Sequence, residues 1–393
     1  MQSVVERLKR HGVPMAGVLI RDWTGIKPTS NFSAAVFGSA DVRNGASDSN
    51  GGGGLMQSLD GKNPFWYNWC LERSHYHSWE TMVDDFERQG ISVGVYLNPH
   101  IEEVPAHLQS GRRYLFGEAH AKGYFVREPD NGEEGRDGMY NYFRKRGRCG
   151  LIDVTNPKAV KWYKSVVKRE VLSLAGASFW LADLDTGAPL DGTYRNGGRN
   201  LGLHNSYATE WARINREALR ECGRDGDGFF VTPGAYAGTV GHAGATACPP
   251  DRAADPRRPD EALRCAYEGV INSGLSGLTH AHSAVCLATP SPPGGTTPSG
   301  SGGKSREAVC RWLEMAAFTA LFRVHDGGVG AAGAGPDGAF GDDLVLRQLA
   351  RWAHVYVALA EYRLGLIDEA SRRGIPVVSI ALSLPEPLCI LSC

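Results

Sequence analysis

The sequence contains no run of apolar residues near the length of about 18 that a helix needs to cross a bilayer. Its first 14 residues, MQSVVERLKRHGVP, have the pattern of an amphipathic helix and lack the apolar core of a signal peptide. These absences predict a protein without a membrane span or a visible signal peptide. The expected location is the cytoplasm or the lumen of an organelle.

The sequence also lacks paired cysteines and an excess of charge. Its nine cysteines are scattered, and none has the C-x-x-C spacing typical of a zinc or redox site. This pattern indicates reduced thiols in a cytosol-like compartment. The formal net charge is −1, so no excess of positive charge is available to attract a nucleic acid or another polyanion. The composition therefore predicts neither a metal site nor a nucleic-acid partner.

Glycine is abundant, at 50 of 393 residues, and much of it lies in low-complexity segments. Residues 31–54 hold too little apolar surface to fold, so we interpret them as a disordered insertion. Residues 130–148 are charged and rich in Gly, and residues 284–304 are rich in Pro, Gly, Ser and Thr. We interpret all three as insertions into one large domain, residues 1–364. Residues 365–393 are expected to begin a C-terminal β domain that is truncated.

Short apolar runs alternate with helical patterns, which predicts an α/β fold with a parallel sheet. The runs that could line one (β/α)8 TIM barrel lie at Gly17, Ile91, Ala177, Gly228, Ala245, Gly277 and Leu321. A barrel of this type needs eight strands, one more than these seven runs supply. We therefore expect the first strand to be missing from this chain. In the alternative, Leu151–Val154 enters the barrel.

The apolar run Phe179–Ala182 is followed directly by Asp183 and, two residues later, by Asp185. Barrel enzymes keep their active sites at the carboxyl ends of the strands, so a buried strand that stops on a carboxylate predicts a catalytic group. The alternative is that Asp183 caps a helix or fixes a turn. Other runs also end on polar residues, among them Asp22 and His325, which favours the catalytic interpretation.

A series of motifs extends this pattern along the chain. They are Arg21-Asp22-Trp23-Thr24-Gly25-Ile26, Trp66-Tyr67-Asn68-Trp69, Tyr96-Leu97-Asn98-Pro99, Asp153-Val154-Thr155-Asn156-Pro157, Trp180-Leu181-Ala182-Asp183, Leu203-His204-Asn205, Arg311-Trp312 and Phe318-Thr319-Ala320-Leu321-Phe322-Arg323-Val324-His325. In content and order they resemble glycoside hydrolase family 31, and most of all its sulfoquinovosidase branch. That branch has Q-D-W-x-G-I, G-K-R-x-x-W-N-W and Y-I-N-P segments at the first three places. The resemblance covers about Val4 to Leu364.

The resemblance implies a retaining α-glycosidase with two carboxyl groups about 5–5.5 Å apart. Asp183 stands where the family has its nucleophile. The acid/base of the family lies one or two strands later, where Asp251 is the first candidate and Asp255 the second. Their surroundings must push the two pKa values apart, so that one carboxyl is ionised and the other protonated. Hydrolysis by such a pair needs no metal or organic cofactor.

The same resemblance implies a binding site for a sugar. Asp22 and His325 stand where the family binds sugar hydroxyls, with Trp23 and Arg323 as their neighbours in the site. The expected partner is therefore a small carbohydrate substrate.

Sulfoquinovose carries a sulfonate, a permanent anion that the planar fork of an arginine suits well. The branch binds it with a Gln, an Arg, a Trp and a water-linked Tyr. In this sequence Arg21 stands at the Gln position, Trp66 at the Trp position, and Lys62 or Asn63 at the Arg position. No Tyr follows the segment His280-Ala281-His282-Ser283. Arg21 would then be the sulfonate donor; in the alternative, it pairs with a local acid at the barrel mouth.

Three functions remain open on the sequence alone. The first is exo-hydrolysis of terminal α-sulfoquinovosides, such as sulfoquinovosyl glycerol or diacylglycerol. The second is hydrolysis of a neutral sugar by an α-glucosidase or α-xylosidase of the same family. The third is a catalytically silent carbohydrate-binding relative or a gene fragment. The expected loss of a strand favours it, and so does the segment Ala247-Cys248-Pro249-Pro250-Asp251, which lacks the Trp and Gly of the family's W-x-G-D acid/base segment.

Overall fold

A computed structural model describes most of the chain. The described residues are 2–27, 65–109, 111–129, 138–142, 147–184, 188–199, 202–236, 238–248, 261–287, 306–325 and 338–379. They belong to two compact units, Met15–Gly244 on the one hand and Met1–Pro14 with Ala245–Cys393 on the other. The predicted insertion at residues 31–54 and most of the one at 284–304 lie outside the described residues.

The helices are α1 Gln2–Arg10, α2 Trp79–Arg88, α3 Leu115–Ala121, α4 Pro157–Val166, α5 Leu203–Glu221, α6 Glu261–Leu275, α7 Arg306–Ala316, α8 Asp343–Ala358 and α9 Ala360–Arg373. Helix α4 continues as a π-helix over Val167–Leu174. The strands are β1 Gly17–Ile20, β2 Ser92–Leu97, β3 His100–Glu102, β4 Cys149–Leu151, β5 Phe179–Ala182, β6 Thr193–Tyr194, β7 Gly198–Arg199, β8 Phe229–Thr232, β9 Ala245–Cys248, β10 Ala281–Ser283, β11 Val285–Cys286 and β12 Val324–His325. None of these helices has the length and apolar character that crossing a bilayer requires.

The unit Met15–Gly244 is built on a parallel sheet with the strand order β1-β2-β5-β8. In register, Val95 of β2 lies beside Trp180 of β5, and Trp180 lies beside Phe230 of β8. Helices α2, α4 and α5 provide the connections, which is why neighbouring strands can run parallel. The carboxyl ends of all four strands therefore meet at one edge, as the alternation of apolar runs and helical patterns predicted.

Two glycines make room for an aromatic ring on this sheet. A Cβ atom on Gly94 would lie 2.3 Å from Phe179 Cε2, and one on Gly17 would lie 2.8 Å from Phe179 Cε1. The Phe179 ring stacks on Phe229 with 5.3 Å between ring centroids. Strands β1, β2 and β5 can therefore lie beside one another with this ring across them only because positions 17 and 94 lack side chains.

Buried hydrogen bonds attach α5 to strand β5. The indole N–H of Trp180 donates to Asn215 Oδ1 over 2.8 Å, and the amide of Asn215 donates to the Trp211 carbonyl. Trp211 in turn donates to the carbonyl of Ala182 over 3.2 Å. These buried polar groups are all paired, so they fix the position of the strand end that carries Asp183.

The structure corrects one assignment in this unit. The alternative in which Leu151–Val154 enters the barrel as a strand is wrong. Strand β4 covers Cys149–Leu151 and pairs antiparallel with β3, with His100 beside Leu151. An antiparallel partner outside the parallel sheet makes β4 part of a small ribbon that follows the end of β2.

The second unit contains two parallel strand pairs, β9 with β10 and β11 with β12. Of the run predicted to be a strand at Leu321, only Val324–His325 is a strand among the described residues.

Helix α1 is attached to α8, because Arg7 donates to Asp343 Oδ1 over 3.0 Å and His354 Nε2 lies 3.0 Å from the Gly12 carbonyl.

The predicted domain boundary at residue 364 falls inside a helix. Helix α8 ends at Ala358, and α9 begins at Ala360 and runs on to Arg373. Gly374 ends it in the left-handed conformation, at φ 70°, with Pro376 two residues later. The described residues after this stop still contact the second unit, since the Val377 N–H donates to the Thr279 carbonyl over 3.0 Å, and residues 380–393 lie outside the described part of the chain.

Candidate active site

Asp183 lies at the carboxyl end of β5 and is hydrogen-bonded to the neighbouring strand. Its backbone N–H donates to the carbonyl of Leu97, the last residue of β2, over 2.9 Å. Its Oδ1 accepts from the N–H of Leu184, and its Oδ2 accepts from the hydroxyl of Tyr96, both over 2.8 Å. The bond to Leu184 is local and would suit a turn. The bond to Tyr96 fixes the carboxylate toward the edge where the strands end, which a turn does not require.

A short chain of hydrogen bonds supports this contact. The Asn98 amide donates to the Tyr96 hydroxyl over 3.3 Å, while Asn98 Oδ1 accepts from the backbone N–H of His100 over 2.9 Å. The Tyr163 hydroxyl donates to the Asn98 carbonyl over 2.7 Å. Tyr96, Asn98, His100 and Tyr163 are all buried. The hydroxyl that meets Asp183 is therefore held in a fixed position.

Arg21 follows β1 and lies against the same tyrosine. Its guanidinium carbon is 5.2 Å from the centre of the Tyr96 ring and 5.5 Å from the centre of the Phe65 ring. Its side chain is exposed. Among the residues that the structure describes, no carboxylate forms an ion pair with it, so the alternative of a local acid finds no partner there. An exposed cation held against aromatic rings is suited to meet an anionic ligand.

Asp22 is held by two residues that the sequence analysis did not single out. The Tyr76 hydroxyl donates to Asp22 Oδ1 over 2.6 Å, and His75 Nε2 lies 3.4 Å from Asp22 Oδ2. Burial tends to raise the pKa of Asp22, but the hydrogen bonds from His75 and Tyr76 outweigh it and lower that pKa. Asp22 is therefore ionised at neutral pH and can still accept hydrogen bonds from a ligand.

This pair predicts a pH-dependent contribution to stability. The hydrogen bond to Asp22 raises the pKa of His75, so its contribution is fully present below about pH 6.5 and is lost as the pH rises through the raised value. The contribution of Asp22 is lost only as the pH falls through its lowered pKa. We expect His75→Gln to lower the free energy of unfolding by about 0.5 kcal/mol near pH 6, and by less at pH 9.

Urea unfolding of the wild type and the variant at both pH values measures this difference. His77→Gln, on the same exposed loop, is the matched control and should show no such pH dependence. An equal loss of stability at pH 6 and pH 9 in His75→Gln would contradict the assignment.

Two tryptophans were predicted to bind substrate, and their surroundings differ. Trp23 is fully buried, and its indole N–H donates to the Tyr96 carbonyl over 2.7 Å. Trp66 is half-buried, and the Lys27 ammonium lies 5.1 Å from the centre of its ring. Lys27 is in turn paired with buried Glu102 at 2.8 Å. Of the two indoles, only that of Trp66 offers surface to a ligand, whereas Trp23 holds Tyr96 in place.

Arg323 and His325 belong to the second unit. Strand β12 pairs with β11, so that His325 lies beside Cys286, and the Arg323 carbonyl accepts from the N–H of Val285 over 2.8 Å. Burial, with a smaller effect from the charge of Arg323, lowers the pKa of His282 on β10 to about 3. His282 is therefore neutral at physiological pH.

The structure brings together Arg21, Trp23 and Asp183, which all contact Tyr96. The predicted residues Lys62, Asp251 and Asp255 lie outside the described residues, so their places in the site stay predictions. Across the described ranges, no group of three or more His, Cys, Asp or Glu side chains is arranged to hold a metal ion.

Four residues of this region were missed: Tyr96, His75, Tyr76 and Lys27. Tyr96 is the first residue of the motif Tyr96-Leu97-Asn98-Pro99, and nothing in that motif indicates that its hydroxyl binds Asp183. The others reach the site from loops. Their contacts join residues that lie far apart in the sequence, which no local pattern records.

Comparison with known proteins decides the family. Residues 1–333 match the sequence profile of the glycosyl hydrolases family 31 TIM-barrel domain. The chain belongs to glycosyl hydrolase family 31. The parallel strands with their connecting helices are thus part of the TIM barrel of family 31, as the sequence predicted. The candidate site lies where such barrels keep their active sites, at the carboxyl ends of the strands.

Among the family 31 relatives are two curated sulfoquinovosidases. That of Agrobacterium fabrum is 27% identical over 379 residues, 95% of this chain and 48% of the relative. That of Escherichia coli is 24% identical over 378 residues, 96% of this chain and 47% of the relative. A solved family 31 sulfoquinovosidase from E. rectale, in complex with an aza-sugar inhibitor, has a TM-score of 0.72 at 24% identity, covering 96% of this chain and 48% of that one. The chain spans about half the length of these relatives.

Proposed function

We propose that this chain acts as a retaining α-glycosidase that cleaves terminal α-sulfoquinovosides, such as sulfoquinovosyl glycerol or diacylglycerol. One observation carries the proposal. Arg21 lies over the ring of Tyr96, whose hydroxyl meets Asp183. A cation without a carboxylate partner among the described residues is thus one side chain away from the candidate nucleophile. The names of the two relatives that match over nearly all of this chain, both sulfoquinovosidases, support the same substrate.

In the proposed reaction, Asp183 attacks the anomeric carbon of the sugar. A bond forms between a carboxylate oxygen and that carbon while the glycosidic bond breaks, and the leaving oxygen takes a proton from the acid/base, for which Asp251 or Asp255 is the candidate. Water then attacks the glycosyl ester and gives its proton back to the same carboxylate. Two displacements at one carbon retain its configuration.

The other groups bind rather than react. Asp22 is held ionised by Tyr76 and His75, so its free lone pairs can accept hydrogen bonds from sugar hydroxyls. Arg21 is placed to meet the sulfonate with charge-assisted hydrogen bonds. A neutral sugar would gain nothing from this cation, and for that reason we favour a sulfonated substrate over an α-glucoside or α-xyloside.

Hydrolysis of 4-nitrophenyl α-sulfoquinovoside and 4-nitrophenyl α-glucoside by the purified full chain tests the proposal. We expect the sulfonated substrate to be preferred in kcat/KM and its first product, seen by NMR, to be the α-anomer. A preference for the glucoside would assign the chain to the neutral-sugar enzymes. A folded chain that binds the sugar and hydrolyses neither substrate would be a carbohydrate-binding relative.

A further inference from the structure

Tyr96 contacts both groups on which the proposed reaction depends. Its hydroxyl donates to Asp183 Oδ2 over 2.8 Å, and its ring faces the Arg21 guanidinium at 5.2 Å. Only 2% of Tyr96 is exposed, so water cannot replace either contact. The side chain is also held from behind, by the Asn98 amide at its hydroxyl and by the Trp23 indole at its carbonyl. A rigid aromatic ring thus joins a cation to a carboxylate.

We infer that Tyr96 is a positioning residue for Asp183 and that Arg21 sets the strength of the hydrogen bond between them, so that an anion bound at Arg21 frees Asp183 for attack. The inference rests on the proposed function, because it takes Asp183 as the nucleophile and Arg21 as the group that meets the anion. It adds that the charge of the substrate changes the nucleophilicity of Asp183.

The physical basis is the effect of a cation on an aromatic ring. A guanidinium over the ring face draws π electrons toward itself and leaves the hydroxyl proton more positive. The hydroxyl of Tyr96 then donates more strongly to Asp183 and holds electron density on its Oδ2. When an anion pairs with Arg21, the net charge over the ring falls toward zero and the hydrogen bond weakens. The carboxylate of Asp183 becomes more nucleophilic as a result.

The arrangement predicts selectivity in the rate of the bond-forming step as well as in binding. A sulfonated sugar brings its own anion and thereby activates Asp183, whereas a neutral sugar meets a carboxylate that Tyr96 restrains. A cation that served only to bind the sulfonate would change KM and leave the reactivity of Asp183 unaltered.

Covalent labelling of Asp183 measures this reactivity without turnover. Conduritol B epoxide is a neutral cyclitol: a carboxylate oxygen bonds to its epoxide carbon, the epoxide C–O bond opens, and the released oxygen takes up a proton. Mass spectrometry of the peptide that contains Asp183 gives the rate. We expect methanesulfonate to accelerate labelling of the wild type roughly threefold over sodium chloride at equal ionic strength, as an ordinary cation–aromatic interaction allows.

Two variants separate this coupling from simple occupation of space. In Arg21→Met the cation is gone, so labelling should proceed at the accelerated rate without methanesulfonate and should not respond to it. In Tyr96→Phe the response to methanesulfonate should vanish although Arg21 remains. Tyr356→Phe is the matched control, because its ring carries the guanidinium of Arg363 at 3.4 Å in the second unit, and it should respond like the wild type.

The outcomes distinguish this inference from the proposed function. If methanesulfonate accelerates labelling but no sulfoquinovoside is hydrolysed, the substrate is wrong and the coupling stands. If sulfoquinovoside is hydrolysed but methanesulfonate leaves labelling unchanged, or Arg21→Met labels at the slow rate, the coupling is wrong and the function stands. A folded wild type in which Asp183 is never labelled would overturn the inference. The Arg21→Met result decides the question even if Tyr96→Phe does not fold.

Discussion

Asp183→Asn should lower kcat for hydrolysis of 4-nitrophenyl α-sulfoquinovoside by about 10⁴-fold or more, the size of loss typical when an attacking group is removed. The amide has the shape of the carboxylate and can still accept a hydrogen bond from Tyr96, so the fold should be unaffected. It lacks the charge and the nucleophilic oxygen that the first displacement requires. Initial rates under substrate saturation and the melting temperature of both proteins measure the two effects.

Asp191→Asn is the matched control for this experiment, since Asp191 is an exposed carboxylate in the same unit. It should retain the activity of the wild type. A second test uses Asp183→Ala with sodium azide, where an external anion can attack the sugar in place of the missing carboxylate and yield a β-glycosyl azide. If Asp183→Asn retained more than about a hundredth of the wild-type rate, another carboxylate would be the nucleophile.

Arg21→Met should lower kcat/KM for the sulfonated substrate by about 10²-fold, the equivalent of two or so charge-assisted hydrogen bonds. Methionine keeps the length of the side chain and can still pack on Tyr96 and Phe65, so the change removes mainly the charge. Hydrolysis of the matching α-glucoside should not fall. The ratio of kcat/KM for the two substrates is therefore the quantity to measure.

Arg88→Met is the control, because the Arg88 side chain is 72% exposed on α2 and pairs only with a local acid, Asp85, among its described contacts. It should leave the ratio unchanged. Equal losses on both substrates in Arg21→Met would show that Arg21 supports the barrel mouth rather than the sulfonate. Added salt should weaken binding of the sulfonated substrate to the wild type, since an exposed ion pair is screened.

The sheet of this protein was predictable because strands buried in a parallel sheet have sequences that are continuous apolar runs. Strands β2 and β5 are such runs, and the polar residues that follow them mark the edge where the strands end. The position of Asp183 followed from this pattern directly. The family resemblance then implied a role for it as nucleophile, which no spacing of residues could have done.

The contacts of the site could not be predicted in the same way. Tyr96 meets Asp183 because Tyr96 pairs in register with Leu181, and register between strands depends on packing across the whole sheet. His75 and Tyr76 reach Asp22 from a loop more than 50 residues along the chain. The end of α9 was different: Gly374 and Pro376 are an ordinary helix stop that local reasoning could have recognised.

The Phe179 ring connects the packing of the sheet to its chemistry. Phe179 begins strand β5, so it lies about 13 Å along the strand from Asp183. Because its ring occupies the space left by Gly17 and Gly94, strands β1 and β2 cannot slide past β5 without collision. Arg21 directly follows β1, and Tyr96 lies in β2. The spacing among Arg21, Tyr96 and Asp183 is therefore fixed from the opposite end of the sheet, at positions that a mutational search confined to the candidate site would never sample.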